Sequence, residues 1–216
     1  VTLTFAGLAM GMIIFIVASG MTLVFGLMDV LNFGHGLFIA IGAYMAATVL
    51  GSMADWTQSG SLWLNLAAVP PALIVGMLVA GAVGVAFERV IVRPVYGQHL
   101  KQILITMGGM IIGEEIIKML WGPQTLSLPL PDALRGAVLV GDAAIEKFRI
   151  VALVVGLGVL GGMLWLLNRT KLGLLIRAGV EDREMVESLG YRIRHLFVGV
   201  FVAGSMLAGL GGVLWG

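Results

Sequence analysis

The chain has 216 residues, 59% of them hydrophobic and only 12% charged, with a mean hydropathy of +1.05. That is about half the charged fraction of a soluble domain, too little polar surface to cover one. The 13 Lys and Arg against 12 Asp and Glu leave a net charge of +1, which excludes a basic stripe for nucleic acid and an acidic disordered tail, and the absence of cysteine removes disulfide scaffolds, thiolate zinc sites and cysteine nucleophiles.

A helix crossing the hydrocarbon needs about 20 mostly apolar residues. Six segments qualify, at 5–28, 37–54, 66–87, 103–122, 150–168 and 196–216. The predicted fold class is therefore all-α, a polytopic transmembrane helix bundle of about six spans forming a single domain over 1–216. The first segment holds no charge, runs past the short apolar core of a signal peptide and has no basic residue before it, so it is expected to be a retained span. The start at Val1 rather than Met, and the stop at Gly216 inside an apolar run, predict a trimmed or processed chain whose natural C-terminus lies further on.

Between the first two segments, Asp29-Val-Leu-Asn32-Phe-Gly34-His35-Gly36 sets a histidine between two glycines. Two readings stand: an exposed backbone that presents the imidazole and free amides to a polar solute, or a simple turn in which His35 caps a neighbouring helix. The segment lacks Lys and Arg, and with 37–54 it allows a broken or re-entrant helix. No second histidine or carboxylate lies nearby at metal-ligand spacing, so no metal site is predicted.

Glycine supplies 32 residues. Small side chains let helices approach closely in lipid, and several recur four apart: Gly7 and Gly11; Gly76, Ala80 and Gly84; Gly158 and Gly162; Gly204, Ala208 and Gly212. Most of these are expected to mark helix contacts.

The segments between spans set orientation, because cytoplasmic loops carry an excess of Lys and Arg. Residues 88–102 hold Arg89, Arg93 and Lys101, and 169–195 hold Arg169, Lys171, Arg177, Arg183, Arg192 and Arg194. In 123–149 Arg135, Lys147 and Arg149 are balanced by Asp132, Asp142 and Glu146. Two spans separate the basic loops, so both are expected on the cytoplasmic side with 123–149 periplasmic; counting back puts 51–65 outside and 29–36 inside.

Glu114, Glu115 and Lys118 interrupt the fourth span. Glu114 and Lys118 are four apart, the spacing of an ion pair on one helix face. A helix rising from the cytoplasm brings them toward the outer half, where Lys118 can snorkel beside Trp121; the competing reading is a pathway-lining or proton-relay role.

Residues 169–195 hold ten of the charged residues. Val180 to Leu189 is helical in pattern, with Gly190 as its stop. Met185 and Leu189 share a face with Val186 beside them, and Glu181, Asp182 and Glu184 crowd the first turns, where the helix dipole favours them. A short helix held between two spans is shaped to dock into a partner's groove, against the alternative of a solvated loop or membrane-surface helix.

Three stretches resemble the permease subunits of branched-chain amino acid ABC transporters, a group that also serves urea and other small solutes: Gly20-Met-Thr-Leu-Val-Phe-Gly26 into Leu31-Asn32-Phe33-Gly34-His35-Gly36 and Ile41-Gly42-Ala43-Tyr44; Glu88-Arg89 with Arg93-Pro94; and Arg177-Ala178 through Glu181-Asp182 to Leu189-Gly190. The likeness spans essentially the whole chain. It implies that 169–195, and within it Arg177, Ala178, Glu181, Asp182, Arg183, Glu184, Met185, Val186, Leu189 and Gly190, contact an ATPase; Asn32, Gly34, His35 and Gly36 are the pathway candidates under the first of the two readings of their segment. Glu184-Met185-Val186 and then Gly190 keep the Glu-Ala-Ala-x3-Gly spacing of importer permeases with both alanines replaced, and Leu37 stands where relatives often have an acidic residue. The resemblance further implies cytoplasmic ATP-binding subunits, a second homologous permease subunit, a periplasmic solute-binding protein, a place in the bacterial inner membrane, and more spans beyond Gly216.

None of the four lysines follows a glycine, so no phosphate loop is present; no cofactor is expected on this chain, ATP and Mg being held by the partner ATPase. Two further classes remain: an ion-coupled secondary transporter using Glu114, Glu115 and Lys118, and a membrane-embedded enzyme, for which no nucleophile and base pair exists.

Overall fold

The computed structural model describes residues 2–124, 127–140 and 143–215; the side chains of Val140, Ala143 and Arg183 fall outside that description, as does the whole of Asp142. The elements run α1 (Thr2–Met28), α2 (His35–Ser52), a short α3 (Ala54–Thr57), α4 (Leu62–Phe87), α5 (His99–Trp121), strands β1 (Ala137–Val140) and β2 (Ala143–Glu146), then α6 (Lys147–Arg169), α7 (Lys171–Glu181), α8 (Arg183–Ser188) and α9 (Ile193–Trp215). Each apolar run becomes one long helix because lipid offers no partner for a backbone N–H or C=O, which must pair within the segment.

α1, α2, α4 with its extension to Val95, α6 and α9 are long and apolar enough to cross a membrane. α5 departs from the six-span expectation: it has 23 residues, but every 18-residue window of it holds at least three of Lys101, Glu114, Glu115 and Lys118. It is a helix of the bundle, packed on α2 and on the turn after α4, without qualifying on apolarity. The re-entrant alternative does not form, since α2 runs unbroken for 18 residues, about 27 Å at 1.5 Å per residue.

α4 ends by loosening into a π-helical turn at Glu88–Val92 and a 3-10 turn at Arg93–Val95. Pro94 lacks an N–H and its ring crowds the preceding turn, so the regular ladder cannot continue through it. The 123–149 segment, expected as a plain loop, carries a hairpin in which Ala137 pairs with Glu146 and Val138 with Ile145.

α9 lies at the centre, against α1, α2 and α4. The contacts are between backbones. A Cβ on Gly42 would fall on the backbone of Gly209, and one on Gly212 would fall on the Ile39 carbonyl; one on Gly20 would lie 2.5 Å from the Gly204 oxygen, and one on Gly84 2.5 Å from Ser205 Oγ. The 76/80/84 and 204/208/212 patterns thus mark real contacts. Gly7, Gly11, Gly158 and Gly162 do not, for they face open space at the rim, and the α1–α6 contact runs through Gly156, where a Cβ would lie 2.6 Å from that of Met12.

The connecting segments gather at two ends. At one, Phe33 N donates to Thr106 Oγ1 at 3.3 Å, the Tyr96 ring meets Phe197 edge-on at 5.7 Å and Leu27 lies against Gly179, so 29–36, 88–102 and 169–195 lie together. At the other, Asn65 Nδ2 donates to the Ser59 carbonyl at 2.7 Å, Ala133 N donates to Asn65 Oδ1 at 2.8 Å and Trp121 Nε1 donates to Thr48 Oγ1 at 2.8 Å, which joins 51–65 to 123–149.

Since backbone atoms cannot rotate away from a new Cβ, Gly42→Val and Gly212→Val should each destabilise the bundle by about 1–3 kcal/mol or more, while Gly158→Ala should cost nothing; thermal unfolding in detergent would show the difference.

Candidate functional site

The 169–195 segment folds as an arm of two helices rather than the single helix expected over 180–189. α7 stops at Glu181 because Asp182 is extended, with φ −150° and ψ 105°. Asp182 Oδ1 accepts from Met185 N at 3.0 Å, satisfying a free donor at the start of α8 as an N-cap does. Val180 and Glu181 therefore belong to α7. Thr170 caps α7 in the same way, its Oγ1 accepting from Gly173 N at 3.1 Å. At the far end Gly190 takes φ +85°, a left-handed conformation that favours glycine, and its N donates to the Glu187 carbonyl at 2.9 Å.

This capping sorts the side chains of α8. Val186 is 1% exposed and shares a core with Ile193 and Phe197 of α9. Met185 and Leu189 are 48% and 67% exposed, as are Glu184 and Glu187 beside them. On α7, Arg177 and Glu181 face outward, Arg177 donating to Asn168 Oδ1 at 3.3 Å, while Ala178 packs against the core. The Arg183 side chain lies outside the described residues. The arm thus presents an outward apolar pair, Met185 and Leu189, beside Glu184 and Glu187, on a helix anchored through Val186.

The Asn32–Gly36 segment is a turn, and its histidine is packed rather than presented. Asn32 Oδ1 accepts from Gly34 N at 3.0 Å and the Asn32 carbonyl from His35 N at 3.2 Å, closing the turn that starts α2. His35 is buried, edge-on to Phe38, and its Nε2 donates to the Val17 carbonyl at 3.2 Å. The carbonyl can only accept, so Nε2 carries a hydrogen. Because Val17 sits mid-helix in α1, His35 ties α2 to α1 and does not cap a helix end. Gly34 is required by close approach: a Cβ there would lie 2.5 Å from the Phe87 ring. Gly36 is exposed.

Glu114, Glu115 and Lys118 are all exposed on α5. Lys118 Nζ pairs with Glu115 Oε1 at 2.6 Å, not with Glu114; residues three and four apart are both neighbours on a helix, and the lysine takes the nearer carboxylate. No group of three or more His, Asp or Glu able to hold a metal comes together among the described residues.

Glu88, named above with Arg89 only as part of a family-like stretch and given no site role, is fully buried, with the Tyr96 hydroxyl donating to its Oε1 at 2.5 Å. Burial, reinforced by the bond to Glu88, pushes the Tyr96 phenol above its ordinary value, so Tyr96 remains the donor. Adjacent Arg89 made the position look like loop charge. The signal lay in the apolar residues on both sides, Val85-Ala86-Phe87 and Val90-Ile91-Val92.

A family model described as "Branched-chain amino acid transport system / permease component" matches residues 3–216. The chain belongs to this permease family. The permease is 30% identical to the high-affinity branched-chain amino acid transport system permease protein BraD of Pseudomonas aeruginosa, over 97% of its own length and 68% of that protein. It is 28% identical to the permease proteins named LivH of Salmonella typhimurium and Escherichia coli, over 98% of its length and 69% of theirs. No solved structure matches it.

Removing the cap in Asp182→Ala should loosen α8 by about 0.5–2 kcal/mol, seen as faster hydrogen exchange at the Met185 amide with α9 unchanged.

Proposed function

We propose that this permease is the membrane subunit of an ATP-binding cassette importer that moves branched-chain amino acids or similar small polar solutes across the bacterial inner membrane. The α7–α8 arm carries the reading: a capped helix anchored to the central helix through Val186 and offering Met185 and Leu189 outward, at the end of the bundle that collects the basic loops. That end is the cytoplasmic one by the excess of Lys and Arg, and 123–149 with its hairpin is periplasmic. Arg177, Ala178, Glu181, Asp182, Arg183, Glu184, Met185, Val186, Leu189 and Gly190 form or shape the contact with a cytoplasmic ATPase, which binds ATP and Mg; this chain has no phosphate loop and its own part is transport, not hydrolysis. A periplasmic solute-binding protein delivers the solute to the opposite end.

The interior supports a second homologous permease subunit. The cleft between α2, α4 and α5, about 440 Å³, is lined by Leu37, Ile41, Val83, Ile91, Gly113, Trp121 and other apolar or glycine positions. A zwitterion would find nothing there to replace its water, so its route runs along a surface of the chain that a partner completes. The Asn32–Gly36 turn then sets α2 beside that route, Phe33 and Gly36 being its exposed members. The charges expected of an ion-coupled carrier lie on the outer face of α5, whereas intramembrane coupling residues face a bundle interior or a water-filled cavity; their place near Trp121 fits snorkelling to the outer interface.

Leu189→Glu puts a charge at the centre of the contact without touching the core. It should abolish co-purification of the ATP-binding subunits while thermal stability stays put; retained complex and normal uptake of labelled leucine, isoleucine and valine would sink the docking assignment. His35→Ala should lower thermal stability and uptake together, because the imidazole is a tether; loss of uptake with stability intact would instead make it a pathway residue.

A further inference from the structure

Beneath the arm, three buried polar atoms have no hydrogen-bond partner among the described residues: Glu88 Oε2, Gln102 Oε1 and Asn32 Nδ2. Their residues are 0%, 1% and 3% exposed, and they stand on three elements, the end of α4, the first turns of α5 and the α1–α2 turn. Buried polar groups are nearly always paired, so three orphans at one junction call for a cause.

Their other atoms interlock. Tyr96 Oη donates to Glu88 Oε1, Gln102 Nε2 donates to the Val95 carbonyl at 3.0 Å, and Asn32 Oδ1 holds Gly34 N. Val95 precedes Tyr96. Thr106, one turn beyond Gln102, accepts from Phe33 N, and Gly34 rests on the ring of Phe87, the neighbour of Glu88. Tyr96 continues the chain to the arm, because its ring packs edge-on against Phe197, which shares a core with Ile193 and with Val186 of α8. The helix itself is loosened here, since Glu88 opens the π-helical turn, a form that recurs at functional sites.

We propose that Glu88 is a positioning residue of the transport cycle, held by Tyr96 so that displacement of the α7–α8 arm at the foot of α9 is passed to the α4–α5 elbow and the Asn32 turn. The orphan atoms are of opposite kinds, one donor and two acceptors, so sliding of the three elements past one another gives them partners to reach. A half-satisfied network is costly where it stands, and a rearrangement that paired these atoms would lower that cost. The proposal rests on the arm being the ATPase contact.

The test uses the full chain assembled with its ATP-binding and second permease subunits in proteoliposomes, with binding protein and labelled leucine, isoleucine and valine, reading uptake per ATP hydrolysed. Tyr96→Phe deletes one hydroxyl, and Glu88→Leu deletes the carboxyl. Each should cut the coupling ratio by at least about fivefold with ATPase rate and subunit stoichiometry kept, the double variant should be no worse than the worse single one, and Glu88→Gln, which keeps an acceptor for Tyr96, should restore most of it. An unchanged ratio in Tyr96→Phe overturns the proposal, as does uptake that falls only in proportion to lost complex; Tyr96→Phe decides alone if Glu88→Leu does not assemble. Failure of the ATPase contact itself would show in Leu189→Glu, which leaves Glu88 and Tyr96 untouched.

Discussion

The backbone contact of α9 with α2 and α1, through Gly42, Gly209, Gly212, Gly20 and Gly204, is the constraint on which the rest of the permease depends. In lipid no hydrophobic gain drives apolar helices together, so association falls to dispersion between closely fitted surfaces. Glycine brings the helices near enough for whole backbones to contribute, and its usual cost in a helix is offset by that contact. With α4 also against Gly209, through Gly76 and Ala80, one helix is fixed on three sides. α8 packs on it through Val186, which shares a core with Ile193 and Phe197, so the arm and the central helix rest on the same apolar cluster. α5 and α6, by contrast, lie at the rim with most of their apolar side chains outward.

Charge is concentrated in the segment that forms the arm. A chain that can spend few charged residues places ten of them between 169 and 195, and there they do two unlike tasks. Asp182 shapes backbone by capping α8, whereas Glu184, Glu187 and Arg177 remain at the surface. Such exposed charges add little to stability; in the proposed contact they would serve steering and register with a complementary surface. Met185 and Leu189 would supply its apolar centre. Folding and the proposed docking thus draw on different residues of the same short segment.

The long helices were legible because an apolar run of membrane length has one way to satisfy its backbone. The 76/80/84 and 204/208/212 patterns were legible as well, but spacing did not distinguish them from Gly7 and Gly11 or Gly158 and Gly162, since facing a neighbour depends on the rotation of the whole helix. The break at Asp182 was missed for a related reason: an aspartate before Arg-Glu-Met reads equally as a first-turn residue of one helix or as the cap of a second. The burial of His35 and Glu88 was hidden by their neighbours. Glycines on both sides made the imidazole look presented and Arg89 made the carboxyl look solvated, although both side chains turn inward. The paired strands Ala137–Val140 and Ala143–Glu146 left no alternating pattern to detect.

The same economy of polar groups bears on how a solute crosses. Within the described residues the buried polar side chains are few, and most have a structural partner: Asn65 closes the far-end loops, Ser19 and Ser205 bond back to their own helices, and His35 joins α2 to α1. None of these is left over to replace the hydration of an ammonium and a carboxylate, a substitution that costs several kcal/mol wherever it fails. The polar atoms that do remain unpaired, on Asn32, Glu88 and Gln102, lie at the end beside the arm, where energy would enter. A bundle built in this way separates its tasks by depth. Apolar backbone contact holds the middle and unpaired polar capacity is kept at the arm's end, which is why the proposed route for a zwitterion runs along a face completed by another chain.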